Sequence, residues 1–334
     1  MKTKSVKSDF TKFIMGIVLL LMTFIAAMVF GAAKTGLSEV WHAIATNKTS
    51  ETITMIREIR LPREIGAIFV GAALSVAGAI MQGLTRNPLA DPGLLGLTAG
   101  ANAALALTVA LIPSANYFMI MIACFIGAAG GVLAVFGIGA IRKGGFSPLR
   151  IVLAGAAVST FLYGVADGIG LYFKISKDVS MWTSGGLLGT TWNQLELIIP
   201  FIIVGIVISI FLSKQLTILS LNEDVAIGLG QNITRIKAIL YVIIVLLAGA
   251  AVSLVGNLAF IGLMVPHIVR QIVGTDYRFI LPMSAIFGAS FMSLADTIAR
   301  TINAPYETPI AAIVSIIGLP FFLFIVHKGG KVLS

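Results

Sequence analysis

Charge is scarce in this sequence. Asp, Glu, Lys and Arg make up 11% of its 334 residues, against a hydrophobic share of 58%. A water-soluble domain carries about 25% charged residues, because its surface faces solvent. This chain has too little polar material for such a surface, which excludes soluble, secreted, fibrous and disordered classes. Cysteine is confined to Cys124, so no intrachain disulfide can form. Histidine is equally sparse, and His42, His267 and His327 lie too far apart for metal-ligand spacing. There is no G-x-x-x-x-G-K-[ST] phosphate loop, since Gly330-Lys331 is followed by Val332. Any ATP used would be hydrolysed by a separate chain. The net charge of +9 comes from scattered residues with no basic run, which argues against nucleic acid as a partner.

What the sequence has in quantity is apolar runs, and its mean hydropathy is +1.01. A helix crosses the hydrocarbon core with about 20 apolar residues. Ten windows meet that need, at about 13–33, 65–85, 93–112, 117–141, 150–173, 196–213, 238–256, 258–274, 279–299 and 308–327. Pro113-Ser-Ala-Asn116 supplies the turn between the third and fourth, and Gly256-Asn257 divides the seventh from the eighth. The first window is longer than the typical signal-peptide core of about 7–15 residues, so it reads as a retained helix. Ten crossings put both termini on one side. With the N-terminus inside, fifteen Lys/Arg fall in inside segments and eight in outside ones, which predicts cytoplasmic termini. The expected fold is an all-α membrane protein. Residues 1–334 form a single transmembrane domain, with residues 1–12 as a cytoplasmic tail.

Two segments echo each other. Gly71-Ala-Ala-Leu-Ser-Val-Ala-Gly78 and Gly249-Ala-Ala-Val-Ser-Leu-Val-Gly256 both read G-A-A-x-S-x-x-G. They lie five helices apart, so the copies cross in opposite directions, as in an inverted-topology repeat. Small residues also recur wherever helix backbones approach closely.

Three functional classes remain open at this level. An intramembrane enzyme needs a nucleophile with a base, or a metal with ligands. No His lies mid-span and no acids have catalytic spacing. An ion-coupled carrier usually holds several intramembrane ionisable residues, and only Asp167 and Asp296 qualify. Asp296 has Arg300 four residues on, a favourable pairing distance. The third class is the membrane subunit of a pump driven by another chain.

The motifs choose among them. Arg60-Leu-Pro-Arg63, the run Gln82-Gly-Leu-Thr-Arg-Asn87-Pro-Leu-Ala-Asp91-Pro-Gly-Leu-Leu-Gly96, and Leu153-Ala-Gly155 are the first. Trp182 with Gly185-Gly186, Ala226-Ile-Gly-Leu-Gly230 and Phe260-Ile-Gly-Leu-Met-Val-Pro-His-Ile-Val-Arg270 follow. Asp296-Thr-Ile-Ala-Arg300, Pro305-Tyr-Glu-Thr-Pro309 and Gly318-Leu-Pro-Phe321 complete the set, in order over about residues 57–325. Together they resemble the permeases of ferric-siderophore, haem and cobalamin ABC importers. That resemblance implies a ten-helix subunit in the cytoplasmic membrane of a prokaryote. It implies a second permease subunit, two cytoplasmic ATPases and an external binding protein. The expected cargo is a ferric siderophore, with haem or cobalamin as the alternative within the family and an ion-coupled carrier as the alternative outside it. The chain itself would bind no cofactor; ATP and Mg would act on the partner ATPase.

The resemblance also assigns residues. Asn87 and Leu89 fall at the cytoplasmic gate, although Pro88 would end its helix in any case. A second constriction falls at Pro148 and Leu149, where cobalamin permeases carry small hydroxyl residues. The stretch Asn222, Glu223, Asp224, Ala226, Gly228 and Gly230 becomes the ATPase coupling loop. From the residues alone it has a helix-start signal in Asn222 and a stop in Gly228 or Gly230. Arg60 and Arg300 become docking points for acidic residues of the binding protein. The local alternative pairs Arg60 with Glu64 and Arg300 with Asp296. His267 reads as a packing residue.

Overall fold

A backbone inside lipid must satisfy its own hydrogen bonds, and a chain this apolar does so by coiling. The computed structural model describes residues 6–31, 35–140, 148–183 and 186–329. Among them every regular element is a helix. In chain order these are α1 (Val6–Val29), α2 (Leu37–Ala45), α3 (Glu51–Met55), α4 (Leu61–Thr85), α5 (Leu97–Leu111) and α6 (Tyr117–Ala140). Then follow α7 (Pro148–Tyr172), α8 (Ser176–Thr183), α9 (Trp192–Phe211), α10 (Ser213–Leu221) and α11 (Glu223–Gly228). The last are α12 (Ile233–Val255), α13 (Ile261–Val273), α14 (Tyr277–Thr301) and α15 (Ile310–Gly329). A π-turn over Ile56–Arg60 joins α3 to α4, and a 3₁₀ turn over Pro92–Leu95 precedes α5.

The ten expected spans correspond to α1, α4, α5, α6, α7, α9, α12, α13, α14 and α15. Seven of these are long and apolar enough to cross a bilayer, while α5, α13 and α15 contribute shorter apolar helices. The sequence windows contain no sign of α2, α3, α8 or α10. Their lengths of 5 to 9 residues leave no long apolar run to detect. The first span also ends earlier than expected, at Val29.

Helix α4 is the hub. It is buried along nearly its whole length and packs against α14, α12, α13 and α9. Small residues make this possible. A Cβ on Gly71 would collide with the Gly288 carbonyl of α14, and one on Gly78 with the backbone of Gly262 in α13. Gln82 adds a polar tie, its amide donating to the carbonyls of Gly262 at 3.3 Å and Leu263 at 3.1 Å. Around this hub, α1, α6, α7, α9 and α15 turn Met15, Met22, Ile126, Leu133, Phe161, Leu171, Phe211 and Phe324 outward. An exterior this apolar suits a bilayer rather than water.

Packing follows the two halves of the sequence. Helix α4 contacts α14 as α12 contacts α6, α4 contacts α13 as α12 contacts α5, and α5 contacts α7 as α13 contacts α15. Each pair shifts by five spans, the arrangement an inverted repeat produces. Ser75 and Ser253, the matching serines of the two motifs, are both fully buried.

Candidate translocation pathway and coupling surface

The chain turns sharply where α4 ends. Arg86 caps the helix in the left-handed region, with φ 51°. The Asn87 side chain then accepts the Leu89 amide at 3.0 Å, and Ala90 donates back to the Asn87 carbonyl. Pro88 cannot continue a helix, so these bonds set the fold of a short loop. Asp91 accepts the Gly93 amide at 2.8 Å, and Gly96 takes φ 73° before α5 begins. This loop is a partition between two cavities.

On one side lies a cavity of 640 Å³ lined by Asn87, Leu89, Asp91, Thr98, Ser159, Thr160, Tyr163, Asn257 and Phe260 among others. Asn257 donates to the Tyr163 hydroxyl at 3.1 Å, tying α7 to the α12–α13 connection. On the other side lies a cavity of 590 Å³ lined by Arg86, Asn87, Asp91, Glu223, Thr234, Lys237 and Tyr241 among others. Asn87 and Asp91 line both. The side chains of Pro148 and Leu149 lie outside the described residues; their backbone opens α7.

Helix α11 has the expected extent. The Asn222 side chain accepts the Asp224 amide at 3.0 Å, and Gly230 with φ 77° follows its end. Gly230 and Gln231 donate to the carbonyls of Ile227 and Ala226, closing the last turn. Ala226 is buried beneath it, while Leu221, Val225, Ile227 and Leu229 face outward. Glu223 joins this helix to the partition loop. Its Oε1 accepts from Arg86 Nη2 at 3.2 Å and from Lys237 Nζ at 2.9 Å. The Lys237 hydrogen bond holds the Glu223 carboxyl below the usual carboxylate range, with the Arg86 charge adding to it. Neither Arg86 nor Lys237 was singled out by the motif reading, because each is an ordinary basic residue until Glu223 is placed between them.

At the opposite end of α4 a charged network joins α4 to α14. Arg63 contacts Asp296 through Nε at 3.0 Å and Nη2 at 2.9 Å, and reaches Glu307 at 2.7 Å. Arg300 Nε lies 2.9 Å from Asp296 and its Nη2 lies 3.9 Å from Glu64. Arg60 donates to the Met28 carbonyl at 2.6 Å and to the Thr35 hydroxyl at 2.8 Å. The two arginines assigned to binding-protein docking, Arg60 and Arg300, are 5% and 6% exposed. Both guanidinium groups turn inward, Arg60 onto backbone and hydroxyl acceptors and Arg300 onto carboxylates. The Arg300–Asp296 spacing is realised as an ion pair, and Glu64 has Arg300 beside it. Arg63, quoted in the sequence motif but given no role there, makes the shortest charged contacts between α4 and α14. His267 sits edge-on to Phe321 with ring centroids 6.0 Å apart.

Comparison with known proteins agrees with this architecture. Over 318 residues the chain is 42% identical to the iron(3+)-hydroxamate import system permease protein FhuB of Bacillus subtilis strain 168, covering 94% of this chain and 82% of that one. It is 36% identical to the Fe(3+) dicitrate transport system permease protein FecC of Escherichia coli K12, covering 83% and 84%. It is 35% identical to the hemin transport system permease protein HmuU of Yersinia pestis, covering 95% and 96%. Among solved structures, an inward-facing metal-chelate type ABC transporter superposes with a TM-score of 0.81 at 24% identity, covering 96% of this chain and 100% of that one. The family model of the FecCD transport family matches residues 19–328. The chain belongs to the FecCD transport family.

Proposed function

We propose that this chain is the permease subunit of a binding-protein-dependent ABC importer, and that it forms part of a pathway carrying a ferric siderophore into the cytoplasm. Relatives named for hydroxamate and citrate chelates of iron support that cargo. A relative named for hemin makes haem the second reading. The observation that carries the transport mechanism is Glu223. It sits at the first residue of α11 and pairs with Arg86, the cap of α4, next to the Asn87–Leu89 loop, which supports a route from α11 to that loop.

In this reading two ATPase subunits, using ATP and Mg, engage the outward apolar residues of α11. An apolar face on a short capped helix suits docking into a partner's groove. Movement of α11 then shifts Arg86 and the partition loop, joining or separating the two cavities. Asn87 and Leu89 act as the gate, and Pro148 and Leu149 form its second constriction. A second permease subunit completes the pathway. An external binding protein delivers the chelate at the opposite end, where Arg60 and Arg300 set the shape of the docking face. Both termini are cytoplasmic, as the Lys/Arg distribution indicates.

The test is uptake of radiolabelled ferric chelates by the reconstituted complex, with and without ATP. ATP-dependent accumulation of a ferric siderophore is expected. Uptake that ignores ATP and collapses with an ionophore would overturn the class. ATP-dependent uptake of haem alone would keep the class and replace the cargo.

A further inference from the structure

Helix α2 has an apolar arc that the protein only half covers. Val40 and Ala43 pack into a separate small core with Met28, Ile53 and Ile56. Next to them, Leu37, Trp41 and Ile44 are 65%, 65% and 54% exposed. Their spacing of i, i+4 and i+7 puts these three on one face. Helical periodicity places Ser38, Glu39 and His42 on the other side of the helix.

This face is held rigidly. The Glu39 carboxylate accepts the Gly36 amide at 2.8 Å and closes the first turn. At the far end Arg57 gathers the outgoing carbonyls. It donates to Ala43 at 2.7 Å, to His42 at 3.1 Å, to Lys48 at 3.1 Å and to Thr46. So the exposed apolar residues belong to a built element tied to the base of α4.

Two observations fix what lies against it. Helix α2 follows the end of the apolar span α1, whose exterior carries exposed Leu21, Met22 and Ile25, with Phe30 beyond its last turn, so its apolar face continues the apolar exterior of a membrane span. Trp192, at the start of the span α9, donates its indole N–H to the carbonyl of Arg57 at 3.1 Å. Tryptophan at a span terminus marks the level of the membrane–water interface. The residue that clamps α2 therefore sits at the level where α9 enters the membrane.

We infer that α2 is an interfacial anchor whose Leu37, Trp41 and Ile44 face is seated in lipid. The Ser38 side faces water and the Val40 and Ala43 side faces the protein. Seated there, α2 braces the Met28 and Thr35 acceptors that hold Arg60. The inference concerns membrane seating and is independent of the cargo.

The test uses the full chain carrying Trp182→Phe and Trp192→Phe, which leaves Trp41 as the sole tryptophan. The protein is reconstituted in phosphatidylcholine vesicles with bromine atoms at defined acyl positions. Interfacial helices sit about 5–10 Å into the headgroup boundary, so bromines near the headgroup end should quench Trp41 about twofold more than bromines at the chain end. Aqueous iodide should leave the emission nearly unchanged. If the double variant is unstable, the difference in quenching between the native chain and Trp41→Phe gives the same reading. Strong iodide quenching without a bromine effect would overturn the anchor by placing the face in water. Absence of bromine quenching, with iodide access lost only when binding protein is added, would overturn it in favour of a protein-docking face.

Discussion

Gly78→Ala tests the close approach at the centre of the fold. A Cβ there would overlap the backbone of Gly262, so α4 and α13 would have to separate. Overpacking a tight site costs about 1–3 kcal/mol. Here the obstacle is backbone, which cannot rotate away, so the upper half of that range applies. Alanine returns about 0.5–1 kcal/mol in helix preference over glycine. The net loss is roughly 1–2.5 kcal/mol by these terms. At about 2–4 °C per kcal/mol for chains of a few hundred residues, the melting temperature should fall by roughly 2–10 °C. Gly137→Ala is the matched control, because nothing lies within 4 Å of a Cβ at that exposed position. It should leave the melting temperature unchanged or slightly raised. Cys124 is the sole cysteine and is fully buried, so a thiol-reactive fluorophore reports unfolding directly. Equal melting temperatures for the two variants would refute the packing argument.

Breaking the Arg63 network with Arg63→Leu should destabilise the protein by about 3–5 kcal/mol, since removing one partner strands a buried carboxylate. Arg300 remains beside Asp296, so the lower end is expected; an unchanged thermal unfolding curve would refute the staple role. Gly228→Pro should uncouple ATP hydrolysis from loaded binding protein, because proline removes a backbone donor and fixes φ within α11. Gly228→Ala meets open space and should keep normal coupling; equal stimulated hydrolysis in both variants would count against α11 as the transmission element. Glu223→Gln should lower transport while ATP binding persists, measured as uptake per ATP hydrolysed. The folded-state pKa of Glu223 is depressed, so its ion pairs are present above the ordinary carboxylate range and are lost as pH falls through the lower folded value. A pH titration of coupling should therefore stay flat down to that acidic range.

The helices α1, α4, α6, α7, α9, α12 and α14 were legible because a bilayer crossing needs a long apolar run, which the sequence carries directly. The division of residues 238–274 was legible from Gly256, which indeed leaves α12 with φ 70°. Helix α11 could be read from Asn222 and Gly230, since capping is a local code. The charged network could not. Local spacing suggested Arg60 with Glu64, yet the main partner of Arg63 is Asp296, 233 residues away. Nothing in either segment names the other; only the packing of α4 on α14 brings them together. The same limit hid Glu223's two partners. Here Arg60, Arg63 and Arg300 contact internal acceptors, whereas Arg86 and Arg278 remain exposed.

The repeat shows where the two halves serve different purposes. Gly71 admits the Gly288 backbone and Gly78 admits that of Gly262, both deep in the α4 contacts. In the second copy Gly249 faces the ring of Phe125, and Gly256 ends its helix instead of packing inside it. The residues that start α5 and α13 diverge in the same way. Both take the left-handed conformation at the N-cap, Gly96 with φ 73° and Phe260 with φ 68°. Glycine adopts that geometry freely, whereas an L-residue pays roughly 1–2 kcal/mol for it. The phenylalanine at this strained position lines the 640 Å³ cavity and packs on Gly318 of α15, where a Cβ would collide. In the first half the equivalent site carries no side chain, and a Cβ there would press on Val158 and Val135. The two matching positions are therefore used asymmetrically: one is a glycine packed closely against its neighbours, and the other is a strained phenylalanine that forms an aromatic wall of the cavity.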